Sequence, residues 1–135
     1  MKDKKFIIIP CSGIGKPIGT ASRETAYEII KQKPELAETV CLAQLTSGDK
    51  EAIQKINDNY CITLDGCAKH CALKNTQACG KTPEKNYMIL KFAADNKDMK
   101  PEGMIDIGDS GRALVKTISK KIIDDIDEIL KADRI

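Results

Sequence analysis

The fold is decided by the stretch Phe6-Ile7-Ile8-Ile9-Pro10-Cys11-Ser12-Gly13, in which a short apolar run ends in a proline, a cysteine and a glycine. A continuous apolar run of this length, bounded by turn residues, is typical of a strand that is buried on both faces. Such strands belong mainly to parallel sheets that carry helices on both sides. We therefore predict a fully buried strand over residues 5–11.

The same arrangement recurs in the middle of the chain. The run Cys61-Ile62-Thr63-Leu64 leads into the segment Asp65-Gly66-Cys67-Ala68-Lys69-His70-Cys71, so a second strand-like run also ends in glycine and cysteine. If a helix begins directly after Gly66, Cys67 and Cys71 lie one turn apart on one helical face. Two thiols placed in this way form half of a site for a soft metal ion.

The rest of the chain alternates between strand and helix patterns. A glycine-rich loop follows Cys11, and a helix is predicted from Thr20 or Ser22 (either as its N-cap) to about residue 33. Further strands are predicted over 39–45, 60–65 and 86–92, and 104–107 is either a short fifth strand or an extended segment. Further helices are predicted over 49–58, over 67–75, and from Asp109 or Ser110 as N-cap to about residue 132.

Repeated strand–helix units of this kind imply a parallel sheet between two layers of helices. We therefore predict an α/β fold, namely a single-domain three-layer sandwich with a mostly parallel sheet of four to five strands, Rossmann-like in type. The chain contains no linker, low-complexity tract or repeat, so one domain is expected to span residues 1–135.

The charge pattern argues against nucleic acid as a partner. The 22 basic and 20 acidic residues are interspersed and leave a net charge of only +2, with few aromatic residues. The apolar run over residues 6–10 is too short for a signal peptide or a membrane span. We expect a cytoplasmic protein that binds neither nucleic acid nor a membrane, and the sequence identifies no protein partner.

Six cysteines in such a chain need an explanation. Disulfide frameworks suit small secreted domains, and no export signal is visible. Reduced thiols that bind metal or react fit better, and a small buried hydrophobic side chain is the alternative for each isolated cysteine.

Four of the cysteines are expected at one edge of the sheet, because sites in open parallel sheets form beyond the carboxyl ends of the strands. Cys11 follows the first strand, Cys67 follows the third, and Cys71 lies one helical turn further on. Cys41 lies within the predicted second strand and reaches this edge only if that strand ends early. We predict a metal site formed by Cys11, Cys41, Cys67 and Cys71.

The other candidate ligands fit less well. Cys61 opens the third strand and lies six residues before Cys67, and six extended residues span roughly 20 Å. Sulfurs on one zinc ion are about 4 Å apart, so Cys61 is a poor co-ligand for Cys67. Cys79 lies in a predicted loop and is ambiguous. His70, the only histidine, either replaces one sulfur ligand or is an exposed helical residue beside the site.

Four sulfurs suit zinc or an iron–sulfur cluster better than a hard cation, and we expect one zinc ion. A closed four-thiolate site favours a structural, metal-handling or sensing role, because zinc catalysis needs an open coordination position. Whether the protein is an enzyme stays open. The alternative is a thiol-dependent redox protein or enzyme in which Cys11 is the nucleophile and Cys67 or Cys71 resolves the disulfide.

Pro17 argues against two phosphate-binding interpretations of the loop after Cys11. A Walker loop needs Ser or Thr after Lys16, and a cysteine phosphatase loop needs Arg six residues after its nucleophile. Pro17 occupies both positions.

Several phrases of the chain together resemble the DGC-domain family, small prokaryotic proteins named for an Asp-Gly-Cys motif. These are Pro10-Cys11-Ser12-Gly13-Ile14-Gly15-Lys16, Ser22-Arg23-Glu24-Thr25-Ala26-Tyr27, Cys41-Leu42-Ala43 and Asp65-Gly66-Cys67. The resemblance covers nearly the whole chain and implies a zinc-binding protein whose characteristic cysteines form the metal site. By position these are Cys11, Cys41, Cys67 and Cys71. The resemblance supplies no substrate or reaction, and Cys79 has no counterpart in it.

Overall fold

The central sheet of the computed structural model, which describes residues 4–11, 16–66 and 69–133, consists of four parallel strands. The strands are β1 (Phe6–Pro10), β2 (Ala37–Thr39), β3 (Tyr60–Asp65) and β4 (Lys85–Met88), in the spatial order β2-β1-β3-β4. The two predicted apolar runs form the two central strands, and residues 6–9 are wholly buried. This agrees with the expectation for strands that are covered on both faces.

Helices cover both faces of the sheet, so the predicted α/β sandwich is confirmed. They are α1 (Pro17–Gln32), α2 (Leu42–Thr46), α3 (Lys50–Asp58), α4 (Cys71–Ala78), α5 (Ile89–Asp95) and α6 (Gly108–Asp133), with a 3-10 helix at Lys97–Met99. Within the described ranges, no helix combines the length and apolarity that crossing a membrane requires.

Side chains of the strands alternate between two hydrophobic cores, as the period of a strand requires. Phe6 and Ile8 enter the first core, which α1, α5 and α6 cover. Ile7, Ile9 and Cys61 enter the second core, which residues of α2, α3 and α4 cover. The helix that follows β1 therefore lies on one face of the sheet, and the helix that follows β3 lies on the other.

This strand order creates a crevice at one edge of the sheet. The chain leaves β1 toward β2 on one side, and it leaves β3 toward β4 on the other side. Two neighbouring strands whose connections diverge form a topological switch point, and ligands of open α/β sheets bind there, beyond the carboxyl ends of the strands. Cys11 and Gly66 directly follow β1 and β3.

Two predicted strands have wrong bounds: the prediction over 39–45 overlaps β2 only at Thr39, and the prediction over 86–92 extends past the end of β4. The second strand ends at Thr39, and Leu42–Thr46 is helical; the fourth ends at Met88, and Ile89–Asp95 is helical. Short apolar runs do not distinguish strand from helix by periodicity alone. In the first case Gln44 accepts a hydrogen bond from the backbone N–H of Cys41 (3.0 Å), which favours a helix start there.

The predicted helix starts also need correction. Helix α1 begins at Pro17, which suits a first helical position. Thr20 and Ser22 are buried inside it and donate hydrogen bonds to the carbonyls of Met104 and Leu64 instead of capping. Helix α6 begins at Gly108, ahead of the predicted caps Asp109 and Ser110, and 104–107 forms no strand. The predictions for 49–58 and 60–65 are confirmed, and Asp49 caps α3.

Candidate metal centre

Cys11 lies at the switch point, directly after β1. Its backbone N–H donates to the carbonyl of Leu64 at 2.8 Å, which continues the parallel ladder by one residue beyond the pair Pro10 and Leu64. Cys11 therefore lies level with Asp65 at the end of the neighbouring strand. Its side chain is half-buried and packs against the edge of the second core.

Cys41 lies at the same edge because β2 is short. The hydroxyl of Thr39 donates to the carbonyl of Ile8 at 2.7 Å, and the strand ends there. Cys41 follows two residues later as the N-cap of α2, and it is exposed. The prediction that Cys41 lies inside a strand was wrong. Cys41 was expected to reach the carboxyl edge only if the strand ended early, and the strand does end early, at Thr39.

Cys71 is the first residue of α4, which begins four residues later than predicted. The start is fixed by Asp65, whose carboxylate accepts hydrogen bonds from the N–H groups of Ala72 (2.7 Å) and Leu73 (3.3 Å). These are two of the donors that the first turn of a helix leaves unsatisfied. The predicted one-turn pairing of Cys67 with Cys71 rests on Cys67, which lies outside the described residues.

Asp65 is itself held by the neighbouring strand. The side-chain amide of Asn86 donates to Asp65 Oδ2 (2.8 Å) and to the hydroxyl of Thr63 (2.7 Å). Asp65 is buried, and a buried carboxylate is tolerated when hydrogen bonds replace its water. These four hydrogen bonds join β3, β4 and the first turn of α4.

Asn86 did not stand out in the sequence. The available signal is the pair Thr63 and Asp65, two polar residues that share one face of an otherwise apolar strand. Buried polar groups need partners, and Asn86 is the residue of β4 that pairs with Thr63 in register.

His70 precedes α4 and adopts the left-handed backbone conformation, with a φ of 54°. Its side chain is 32 % exposed, and Nδ1 lies 3.6 Å from Asp65 Oδ2. Nδ1 is buried and makes no hydrogen bond to the part of the chain that the structure describes. The interpretation of His70 as an exposed helical residue is therefore wrong, and an unsatisfied imidazole nitrogen beside Cys71 fits a metal-binding environment.

The second core contacts one described cysteine of the predicted set and the residues that follow the other two. Cys11 packs against this core. Leu42, the residue after Cys41, also packs against it, and Ala72, the residue after Cys71, is buried within it. Helices α2 and α4 pack against each other. Across residues 4–11, 16–66 and 69–133, however, no group of three or more His, Cys, Asp or Glu side chains is close enough to hold a metal ion.

The two remaining cysteines lie elsewhere. Cys61 pairs with Ile7 in the amino-terminal half of β3, and its thiol donates to the carbonyl of Ile56 at 3.4 Å. Burial raises the pKa of Cys61 to about 12. Cys79 follows the last residue of α4, about 12 Å from Cys71 along the helix axis. Its thiol donates to the carbonyl of Leu45 at 3.5 Å.

Comparison with known proteins identifies the family. Residues 7–121, most of the chain, match the model of the DGC domain, and this range includes all four predicted ligands. Neither the curated proteins nor the solved structures gave a significant match. The chain belongs to the DGC domain family.

Proposed function

We propose that this protein binds one zinc ion through Cys11, Cys41, Cys67 and Cys71, and that the site has a structural, metal-handling or sensing role. The observation that carries the proposal is the early end of β2. It brings Cys41 to the edge at which Cys11 follows β1 and Cys71 begins α4. Three separate segments thereby contribute thiols at the carboxyl edge of one sheet.

The donor set suits zinc. Thiolates are soft ligands, and four of them form the closed tetrahedral shell of structural zinc sites. Such a shell carries a net charge of −2, and Cys71 lies at the positive end of the α4 dipole, which stabilises negative charge. Because metal binding is coupled to folding, the ion supplies free energy for drawing the cysteine-bearing segments together.

His70 is the alternative ligand for one of the four positions. Its Nδ1, which makes no hydrogen bond to the described part of the chain and lies 3.6 Å from Asp65 Oδ2, is beside the helix start that carries Cys71. A His70→Ala variant that keeps one zinc per chain supports the four-thiolate set, whereas loss of zinc from that variant supports a three-sulfur, one-nitrogen set.

The thiol-based alternative uses the same edge of the sheet. Cys41 is exposed and Cys11 is half-buried, so reagents have access to part of the candidate site. In this alternative Cys11 attacks a disulfide and Cys67 or Cys71 resolves the mixed disulfide. Zinc content separates the two functions, because thiolates that are ligated to zinc are not available for this exchange.

The test is elemental analysis and a visible spectrum of protein purified without oxygen. We expect about one zinc per chain and no iron–sulfur absorbance. Substitution of any one of Cys11, Cys41, Cys67 or Cys71 by serine is expected to lower the zinc content. Cys79→Ser is the matched control, because Cys79 lies at the other end of the same helix as Cys71 and a serine hydroxyl can still donate to Leu45.

Two results would contradict the proposal. One is metal-free protein in repeated preparations together with fast alkylation of Cys11 at neutral pH, which supports the thiol-based alternative. The other is equal zinc loss in Cys71→Ser and Cys79→Ser, which shows that the carboxyl-edge set is wrong.

A further inference from the structure

A cavity of about 490 Å³ opens between the start of α1 and the segment that runs from α5 past the 3-10 helix. Its volume falls within the range of small-molecule sites, which is roughly 300–1,000 Å³. Its apolar lining consists of Pro17, Ile18, Leu90, Ala93, Ala94 and Pro101. Leu90 is one of the exposed large apolar side chains of the described residues, with 45 % of its surface accessible to solvent.

Two lysines are the charged residues of the described lining, and both are exposed. They are Lys97, at the start of the 3-10 helix, and Lys100, directly after it. Neither ammonium forms an ion pair within the described ranges, and no acidic residue of those ranges lines the cavity. The cavity therefore combines an apolar wall with unpaired positive charge.

We propose that this cavity binds a small organic anion with an apolar body, in the chemical class of medium-chain carboxylates. The body packs against Ile18, Leu90 and Ala93, and the carboxylate lies between the ammonium groups of Lys97 and Lys100. A protein partner fits less well, because a specific protein interface needs about 800 Å² on each side, whereas this feature is a cavity with eight lining residues among those that the structure describes.

Two residues that line the cavity contact Gly66. The side chain of Ile18 lies against Gly66, where an added Cβ would be 3.0 Å from Ile18 Cγ2. The backbone N–H of Leu90 donates to the carbonyl of Gly66 at 3.2 Å. Of the proposed zinc ligands that the structure describes, neither Cys11, Cys41 nor Cys71 lines the cavity, and the inference is argued from none of them.

Calorimetric titration of the full chain with decanoate tests the proposal, and decanol serves as the neutral probe. We expect saturable binding of decanoate at one site, and much weaker binding of decanol. The double variant Lys97→Gln/Lys100→Gln is expected to weaken decanoate binding about fivefold, the size of two exposed ion pairs. Lys91→Gln is the matched control, because Lys91 is an exposed lysine of α5 outside the lining.

A second variant separates binding from folding. Ala94 is exposed, so Ala94→Trp is expected to fill the cavity without disturbing the core, and to abolish decanoate binding while leaving the urea midpoint unchanged. Equal binding of decanol and decanoate, or decanoate binding that survives in both variants, overturns the proposal. So does a dimer in sedimentation that Ala94→Trp dissociates, because a second copy then occupies the cavity.

The two proposals fail separately. Cys71→Ser is expected to lose zinc and to keep decanoate binding, whereas Ala94→Trp is expected to lose decanoate binding and to keep zinc. Loss of decanoate binding in Cys71→Ser, with an unchanged urea midpoint, contradicts the independence of the cavity.

Discussion

The carboxylate of Asp65 accepts a hydrogen bond from the backbone N–H of Ala72, with 2.7 Å between Oδ1 and the nitrogen. This bond joins the carboxyl end of β3 to the first turn of α4, in which Cys71 is the first residue. The aspartate of the Asp-Gly-Cys motif therefore positions a cysteine that lies six residues further along the chain. Its buried carboxylate acts as a helix cap supplied by a strand.

Asp65→Ala is expected to lower the free energy of unfolding by about 2–4 kcal/mol, because it leaves the N–H groups of Ala72 and Leu73 and the amide of Asn86 without their acceptor. It is also expected to lower zinc content, since the start of α4 is no longer fixed. Urea unfolding and elemental analysis measure the two effects.

Asp49→Ala is the matched control for the loss of a cap. Asp49 Oδ1 accepts hydrogen bonds from the N–H groups of Glu51 (3.0 Å) and Ala52 (3.2 Å) at the start of α3, in a half-buried position. This variant should lose about 1 kcal/mol and keep its zinc. Equal zinc loss in the two variants would show that Asp65 has no specific role in placing Cys71.

Cys61 makes the protein sensitive to alkali. Burial raises its pKa from 9.0 to about 12. The unfolded chain releases this proton above pH 9, whereas the folded chain retains it up to about pH 12. The free energy of unfolding should therefore fall as pH rises between these values, by about 1.4 kcal/mol per pH unit for this group.

Urea unfolding of wild type and Cys61→Ala between pH 7.5 and pH 11 measures this contribution. Burial and the hydrogen bond to Asp125 also raise the pKa of Tyr87, but that contribution is common to both proteins and cancels in the difference. We expect the difference in stability between the two proteins to shrink above pH 9. A constant difference across the range would mean that the Cys61 thiol titrates alike in both states.

The hydroxyl of Tyr87 donates to Asp125, which also accepts a hydrogen bond from Lys121 at 3.0 Å. Burial pushes the pKa of Asp125 upward, but the bonds from Tyr87 and Lys121 outweigh it and hold the pKa below 3.8. The resulting stability is present above that pH and is lost as pH falls through the lower, folded-state pKa.

Tyr87→Phe is expected to lower the free energy of unfolding by about 1–2 kcal/mol at pH 7, because it removes a hydrogen bond to a charged, partly buried carboxylate. Lys121→Gln should cost about 0.5 kcal/mol or less, since that lysine is exposed. Urea titrations at pH 7 and pH 3 should show a smaller difference between wild type and Tyr87→Phe at the lower pH. A larger cost for Lys121→Gln than for Tyr87→Phe would contradict this ranking.

Gly66 packs closely against Ile18. An alanine Cβ at this position would lie 3.0 Å from Ile18 Cγ2, so Gly66→Ala should cost about 1–2 kcal/mol by overpacking. In an Ile18→Ala background the same change should cost markedly less, because the contact is gone. A double-mutant cycle from urea unfolding measures this coupling, and additive effects would show that Ile18 is not the constraint.

The two central strands could be predicted from the sequence, because β1 and β3 are continuous apolar runs that are bounded by turn residues. Such runs are typical of strands that are buried on both faces of a sheet. The ends of β2 and β4 could not be predicted from the sequence. The residues that follow these strands, over 40–45 and 89–92, are apolar in a pattern that is common to helices and strands. The start of α4 also depends on a distant carboxylate, that of Asp65, rather than on a local cap.

For the candidate site, the position of Cys41 was predicted only conditionally. Cys41 was placed at the carboxyl edge on the condition of a short strand, and that condition holds because the strand ends at Thr39. The hydrogen bonds of Asn86 and the backbone conformation of His70 could not be predicted, because they depend on strand register and on a left-handed conformation at one residue.

Zinc K-edge X-ray absorption on the protein as purified observes the proposed ligand shell itself. Four sulfur neighbours at about 2.3 Å are expected, with no nitrogen or oxygen in the first shell. A shell dominated by neighbours at about 2.0–2.1 Å, or protein that contains no zinc, would contradict a four-thiolate site formed by Cys11, Cys41, Cys67 and Cys71.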